Sequence, residues 1–144
     1  MTSETYTYEY PRPAVTVDVV LFRKINSDHH ILLIQRKHSP YEGDWALPGG
    51  FVDADEDPYD AVHRELLEET SLSGQTLKPL GFWGRPDRDP RGHTISLAYW
   101  GVVEEEAQPV AGDDAREAQW FPINDLPSLA FDHRDILQKA LSLL

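Results

Sequence analysis

The 144-residue sequence predicts an α/β (α+β) fold in which a mixed β-sheet is flanked by helices. Apolar, β-branched segments outnumber amphipathic ones, and strand-like sequence separates the two amphipathic segments. Each amphipathic helix needs an apolar surface to cover, and a sheet supplies that surface. The sequence contains no internal repeat and no linker, so we expect a single domain over residues 1–144.

The first third of the chain is predicted to be mostly strand. Residues 1–13 contain two prolines, which is typical of a tail or an edge strand. Turn residues then separate the apolar runs. The predicted elements are a strand over 14–24, a turn over 25–30, a strand over 31–37, a loop over 38–44 and a short, interrupted strand over 45–52.

A helix is predicted next, because its start is clearly marked in the sequence. Asp57 suits the N-cap, Pro58 suits the first helical position, and Asp60 can complete a capping box. The helix is expected to end near Ser71. Its apolar stripe consists of Tyr59, Val62 and Leu66.

The second half of the chain alternates strands with polar loops and closes on a helix. The apolar pattern of residues 130–143 has helical periodicity. The predicted elements are a strand over 76–85, an arginine-rich loop over 86–93, a strand over 94–103, an acidic loop over 104–117, a strand over 118–123, a turn over 124–127 and a helix over 130–143.

Charge and composition narrow the function classes. The formal net charge is −12, and no cluster of lysine and arginine offers the basic face that sequence-independent binding to DNA or RNA requires. No apolar run is long enough for a membrane helix, and the start lacks the layout of a secretion signal. There are no cysteines, so disulfides and thiolate metal sites are excluded. We therefore expect a cytoplasmic protein that binds neither nucleic acid nor membrane.

Three carboxylates share a second stripe of the predicted helix: Glu65, Glu68 and Glu69. Acids at this spacing repel one another, and the helix contains no lysine to relieve the repulsion. Three interpretations are open at this point: a solvated face, a salt-bridge network around Arg64, and a site for a hard cation such as Mg²⁺, which prefers oxygen ligands.

The residues upstream favour the cation site. Gly49 and Gly50 precede the acidic entry loop, and glycine lets backbone atoms approach a ligand closely. Glu56 lies in that loop and can fold back towards the helical acids. The spacing is Gly50, five residues, Glu56, seven residues, Arg64-Glu65-Leu66, one residue and Glu68-Glu69.

This pattern resembles the Nudix box, the signature of the Nudix hydrolases. Both apolar positions, Leu66 and Leu72, are present, and one fixed position departs from the pattern: Ser71 stands where the family has its last glycine. That glycine closes the helix in the family, so serine is expected to carry some strain if a positive φ is needed there. The resemblance implies a Nudix-type α/β/α sandwich.

The flanking segments, over about residues 14–141, resemble one Nudix branch. That branch contains ADP-ribose pyrophosphatases and the Nudix-like domains of transcriptional regulators that sense NAD-related nucleotides. The resemblance implies a Mg²⁺-dependent hydrolase, with Mn²⁺ as a substitute, that cleaves ADP-ribose to AMP and ribose 5-phosphate. The alternatives are a house-cleaning hydrolase of nucleoside triphosphates and a module that senses an ADP-ribose-type ligand. A nucleotide-type substrate and a homodimer are the implied partners.

The resemblance also implies roles for individual residues. The expected metal ligands are Glu65, Glu69, Glu68, Glu56 and the backbone carbonyl of Gly49. Arg64 is expected to orient a glutamate of the box. The general base varies in the family and often lies on a distant acidic loop, where Asp113, Asp114 and Glu117 are the candidates, with Glu65 or Glu68 as alternatives.

Substrate binding is predicted from residue type and position. Arginine pairs well with phosphate and stacks on bases, which points to Arg36, Arg85, Arg88 and Arg91. The alternative for the last three is pairing with Asp87 and Asp89. Aromatic candidates for stacking an adenine are Trp45, Phe82 and Trp83, whereas Trp120 and Phe121 are assigned to the core. His133 is expected to pack at or cap the start of the last helix.

Overall fold

The computed structural model describes residues 5–103, 108–109, 111–112 and 115–144. These residues contain seven strands and two α-helices. The strands are β1 (Ala14–Ile25), β2 (Asp28–Arg36), β3 (Trp45–Ala46), β4 (Gly49–Phe51), β5 (Lys78–Trp83), β6 (Thr94–Val103) and β7 (Ala115–Pro122). The helices are α1 (Pro58–Thr70) and α2 (His133–Leu141). In this described part, no helix is long and apolar enough to cross a membrane.

All seven strands belong to one mixed sheet with β1 at its centre. The strand order is β3-β2-β1-β6-β5, and β4 and β7 pair with β1 and β2. β1 runs parallel to β6 and antiparallel to β2 and β4. A strand enclosed in this way is buried on both faces, and residues 16–23 are all buried; this explains why residues 17–22 are apolar except for Asp18.

The two helices cover opposite faces of the sheet. Val17, Val19 and Leu21 pack in a core with the apolar side of α1, whereas Val20 and Phe22 pack in a core with α2. Successive residues of a strand point to opposite faces, so this alternation puts one helix on each side. The predicted sheet flanked by helices is therefore confirmed.

Several predicted boundaries are wrong, each for a local reason. The turn predicted over 25–30 is only two residues long: Asn26 and Ser27 both have positive φ, as a tight hairpin requires, and both histidines that follow belong to β2. β7 begins at residue 115 because it extends its pairing with β2, and α2 begins at His133. Residues 5–13 form a tail and no strand.

One residue of the predicted apolar stripe on α1 is not buried. Val62 and Leu66 are fully packed, but Tyr59 is 45% exposed. It lies in the first turn, where its ring packs edge-on against His63 and Tyr99. The stripe prediction therefore holds for Val62 and Leu66 and fails at Tyr59, whose ring has only partial cover from its aromatic neighbours.

Candidate active site

A cleft of about 1090 Å³ crosses the surface above the centre of the sheet. Its lining contains a group of carboxylates, which we call the acidic wall, and a group of cationic side chains, which we call the cationic wall. The acidic wall consists of Asp53, Glu65, Glu68 and Glu69, and the cationic wall consists of Arg36, Lys37, Arg88 and Arg91. A cleft of this size and charge distribution suits a ligand that carries phosphates together with cations.

The acidic wall is built by α1. Asp57 caps the helix by accepting a hydrogen bond from the Tyr59 backbone N–H at 2.8 Å, with Pro58 at the first position as predicted. Because Val62 and Leu66 are fixed against the sheet, the glutamates a quarter-turn away face the cleft. The helix ends at Ser71, which adopts the left-handed conformation at φ 65°.

Neither glycine of the pair has room for a side chain: a Cβ atom on Gly49 would meet the Val17 carbonyl oxygen of β1, and one on Gly50 would meet Glu65. A Cβ atom on Gly50 would lie 2.5 Å from the carboxylate of Glu65, so no other residue fits there without displacing that side chain. The Gly49 backbone N–H donates to Oε1 of Glu69 at 2.7 Å. The two glycines therefore hold β4 against the carboxylates of the Nudix box.

Arg64 donates hydrogen bonds to three glutamates of the Nudix box. Its Nε and Nη2 donate to both oxygens of Glu56, at 2.7 and 2.9 Å, and its Nη1 donates to Glu65 and Glu68, at 2.9 and 3.1 Å. It also donates to the Phe51 carbonyl at 3.0 Å. Hydrogen bonding from Arg64, together with the Asp53 backbone N–H, lowers the pKa of Glu56. The arrangement supports the predicted orienting role of Arg64.

Glu65 is held in a different environment. Burial raises its pKa to about 6, although the Arg64 guanidinium acts in the opposite direction. Because burial disfavours the charged form of this carboxylate, a cation bound beside it would stabilise the ionised form. Glu69 is only 7% exposed and lies equally deep beside Gly49.

The donor set fits a magnesium ion that keeps much of its water. Within the described ranges, no three aspartate, glutamate or histidine side chains come together as a ready-made metal site. Mg²⁺ commonly takes one or two carboxylates and fills its shell with water and substrate phosphate. Glu65 and Glu69 suit that pattern. Both oxygens of Glu56 already accept hydrogen bonds from Arg64, so its ligand role stays a prediction.

The predicted substrate arginines divide into two groups. Arg36, Arg88 and Arg91 line the cleft, whereas Arg85 is exposed beside a separate cavity of about 270 Å³. The alternative of local pairing is found for Arg85, which lies 3.7 Å from Asp87, and for Arg91, which lies 2.8 Å from Asp89, but the acid bound by Arg88 is a distant one. Arg88 donates to both oxygens of Asp132, at 2.9 and 2.6 Å, so a contact across 44 residues replaces the local pair.

The aromatic residues of the cleft are not the ones that the sequence suggested. Trp45 packs edge-on against Phe121 in the α2-side core, Phe82 is 76% exposed on β5, and Trp83 lines the smaller cavity. The cleft is lined by Phe51 and Phe131. Phe51 directly follows the glycine pair, a position that could have marked it; the sequence gives no comparable sign at Phe131.

A buried polar cluster beneath the cleft was not predicted as a cluster, although one of its members, His133, packs at the start of α2 as expected. Asp18 accepts a hydrogen bond from the Ser96 hydroxyl and lies 3.5 Å from Nε2 of His133. Nδ1 of His133 accepts from the Leu47 backbone N–H at 3.0 Å, so the neutral ring carries its proton on Nε2, facing Asp18. Burial raises the pKa of Asp18 and lowers that of His133. The only indication of this cluster in the sequence was Asp18, a carboxylate within an apolar strand.

The candidates for the general base lie in different places. Glu117 belongs to β7 instead of the acidic loop, and it is exposed and outside the residues that line the cleft. Asp113 and Asp114 lie outside the described residues. Glu65 and Glu68, the alternatives, both line the cleft.

Comparison with known proteins places this arrangement in a family. The NUDIX domain model matches residues 12–140. An ADP-ribose pyrophosphatase of Methanocaldococcus jannaschii is 48% identical over 130 residues, which cover 90% of this chain and 73% of the relative. An ADPR responsive transcriptional repressor, NtrR of Acinetobacter baylyi, is 36% identical over 94% of this chain and 56% of its own length.

Solved structures agree in fold. The NUDIX domain of Shewanella oneidensis NrtR, crystallised with ADP ribose, superposes with a TM-score of 0.88 at 31% identity, covering 93% of this chain and 90% of that domain. The same regulator complexed with a 27mer DNA matches with a TM-score of 0.79 at 32% identity, covering 90% of this chain and 61% of that longer chain. With its box residues gathered on one wall of the cleft and its fold shared over nearly its whole length, the chain belongs to the Nudix hydrolases, enzymes that act on pyrophosphate bonds.

Proposed function

We propose that the protein hydrolyses ADP-ribose to AMP and ribose 5-phosphate and that it uses Mg²⁺, with Mn²⁺ as a substitute. The observation that carries the proposal is the cleft itself, which is lined by Glu65 and Glu69 together with Arg36, Arg88 and Arg91. The 48% identity to an ADP-ribose pyrophosphatase supports the choice of substrate. The reaction adds one water across the bond between a phosphorus and the bridging oxygen.

We assign different roles to the carboxylates and to the cationic side chains that line the cleft. Glu65 and Glu69 would hold the cation, which when bound screens the phosphates and acidifies a water. Arg36 would pair with phosphate oxygens, offsetting the repulsion from a protein of net charge −12. Arg64 keeps the glutamates in place. Glu68 is the base candidate that lines the cleft and is partly open to water.

The experiment measures AMP release from ADP-ribose in the presence of Mg²⁺. We expect Glu69→Gln to lower kcat about 100-fold or more, since removal of one electrostatic group from a hydrolytic site typically costs that much. Glu117→Gln, a matched change at an exposed glutamate outside the cleft, should retain wild-type kcat. Full activity in Glu69→Gln would remove the assigned role, and a large loss in Glu117→Gln would move the base to β7.

A second candidate function is ligand sensing without turnover. It is favoured by the 36% identity to an ADPR responsive repressor and by the structural match to a regulator domain crystallised with ADP ribose. The two functions differ in one measurement: a sensor binds ADP-ribose in calorimetry and releases no AMP over hours with Mg²⁺ or Mn²⁺.

A further inference from the structure

We propose that Phe51, Arg91 and Phe131 form a stacking platform that binds the nucleobase of the substrate. This inference deepens the proposed function, since it assigns the part of the nucleotide that lies beyond the diphosphate. The guanidinium carbon of Arg91 lies 4.8 Å from the ring centroid of Phe51 and 5.5 Å from that of Phe131. A positive group between two aromatic faces makes a π-rich surface, which suits a planar heterocycle.

The cationic member of the platform is fixed in advance. Nε and Nη2 of Arg91 donate to the two oxygens of Asp89 at 3.1 and 2.8 Å, and the Arg91 backbone N–H donates to the same carboxylate. Asp89 is only 4% exposed, so this pair cannot reorient freely. The platform therefore loses little conformational entropy when a ligand binds.

Phe131 is held in a conformation that a bulky residue rarely adopts. Its φ is 52°, and Tyr41, whose ring centroid lies 4.7 Å from that of Phe131, has φ 59°. Left-handed backbone at bulky residues is strained and concentrates at functional sites. Arg36 lies over the same ring at 5.1 Å, so Phe131 meets cationic groups from two segments. These contacts place Phe131 for interaction with a ligand in the cleft.

The platform lies next to the acidic wall, so a base bound on it would be close to phosphates bound at the glutamates. Phe51 directly follows Gly50, whose backbone lies against Glu65, and the Phe51 carbonyl accepts from Arg64. A ligand with its diphosphate at the glutamates thus has its next groups beside Phe51. The Phe51 side chain is 42% exposed, and that open ring area is what a base would cover.

The test compares a ligand that has a base with one that has none. Calorimetry with Mg²⁺ would measure binding of ADP and of inorganic pyrophosphate to the full chain. Phe51→Leu keeps apolar bulk and removes the ring, so it should weaken ADP binding about tenfold, a value from the lower part of the range for base stacking, and leave pyrophosphate within twofold. Phe51→Tyr should restore ADP affinity. Phe82→Leu, a matched change at an exposed phenylalanine on β5, should change neither.

The results of this experiment test the platform independently of the proposed hydrolysis. Equal loss for ADP and pyrophosphate in Phe51→Leu would overturn it, because the ring would then act on the phosphates. Unchanged ADP affinity would overturn it as well. If the wild type bound ADP through Phe51 yet released no AMP from ADP-ribose, the proposed hydrolysis would fail and the platform would stand.

Discussion

Glu65 is the residue at which the demands of folding and of function oppose each other. Its side chain is 14% exposed, and burial outweighs the Arg64 contact, so its pKa is raised to about 6. A folded-state pKa above the unfolded value contributes stability that is present at low pH and lost as the pH rises through the folded pKa. Without a cation, ionised Glu65 therefore destabilises the protein at neutral pH.

Replacing Glu65 by glutamine should make the metal-free protein more stable and inactive. Without the buried charge, Glu65→Gln should raise the free energy of unfolding by about 1 to 2 kcal/mol at pH 7.5 in EDTA. The gain should shrink below pH 4.5, where the wild-type carboxyl is already protonated. Urea unfolding at both pH values measures it, with Glu117→Gln as the surface control. A less stable variant at pH 7.5 would mean that the Arg64 contact outweighs burial.

The end of α1 shows how one departure from the Nudix box is accommodated. Ser71 occupies the position of the family glycine and takes a left-handed backbone conformation, with φ 65° and its N–H bonded to the Leu67 carbonyl. Ser71 thus has the positive φ under which some strain was expected. A left-handed conformation costs a residue with a Cβ roughly 1 kcal/mol relative to glycine.

Ser71→Gly should therefore stabilise the protein by up to about 1 kcal/mol, which thermal unfolding would register as a rise of a few degrees in Tm. The matched control is Ser142→Gly at the end of α2. Ser142 has φ −67°, where glycine relieves no strain, and its hydroxyl donates to the Lys139 carbonyl at 2.6 Å, so this variant should be less stable. Equal effects in both variants would mean that backbone strain at Ser71 is negligible.

Elements whose function depends on short-range spacing could be predicted from the sequence. The acidic wall follows from helical spacing, and both its N-cap and its close glycines are readable in one stretch of about twenty residues. The surroundings of Phe131, Asp132 and His133 could not be predicted, because each is held by a contact with a residue 40 or more positions away. Spacing along one helix says nothing about such contacts.

At the scale of the whole molecule, His133 joins three parts of the fold. It starts α2, its ring accepts from the Leu47 N–H between β3 and β4, and it faces Asp18 in β1. The same linkage supports the segment that runs into Gly49. Burial lowers the pKa of His133, so the folded state resists its protonation. A depressed folded pKa means stability that is present above about pH 6.5 and lost as the pH falls.

His133→Asn should separate the hydrogen bond from the titration. The asparagine oxygen can take the place of Nδ1 and accept from the Leu47 N–H, but it does not ionise. At pH 8 the variant should be less stable than the wild type by about 1 to 2 kcal/mol, because it loses packing and the contact with Asp18. Between pH 6.5 and 5 the wild type should lose stability faster than the variant, by at most about 1.4 kcal/mol per pH unit for one proton.

Urea unfolding across that range, with exposed His93→Asn for comparison, measures the difference. Parallel pH profiles for the wild type and His133→Asn would show that the buried ring does not govern acid unfolding.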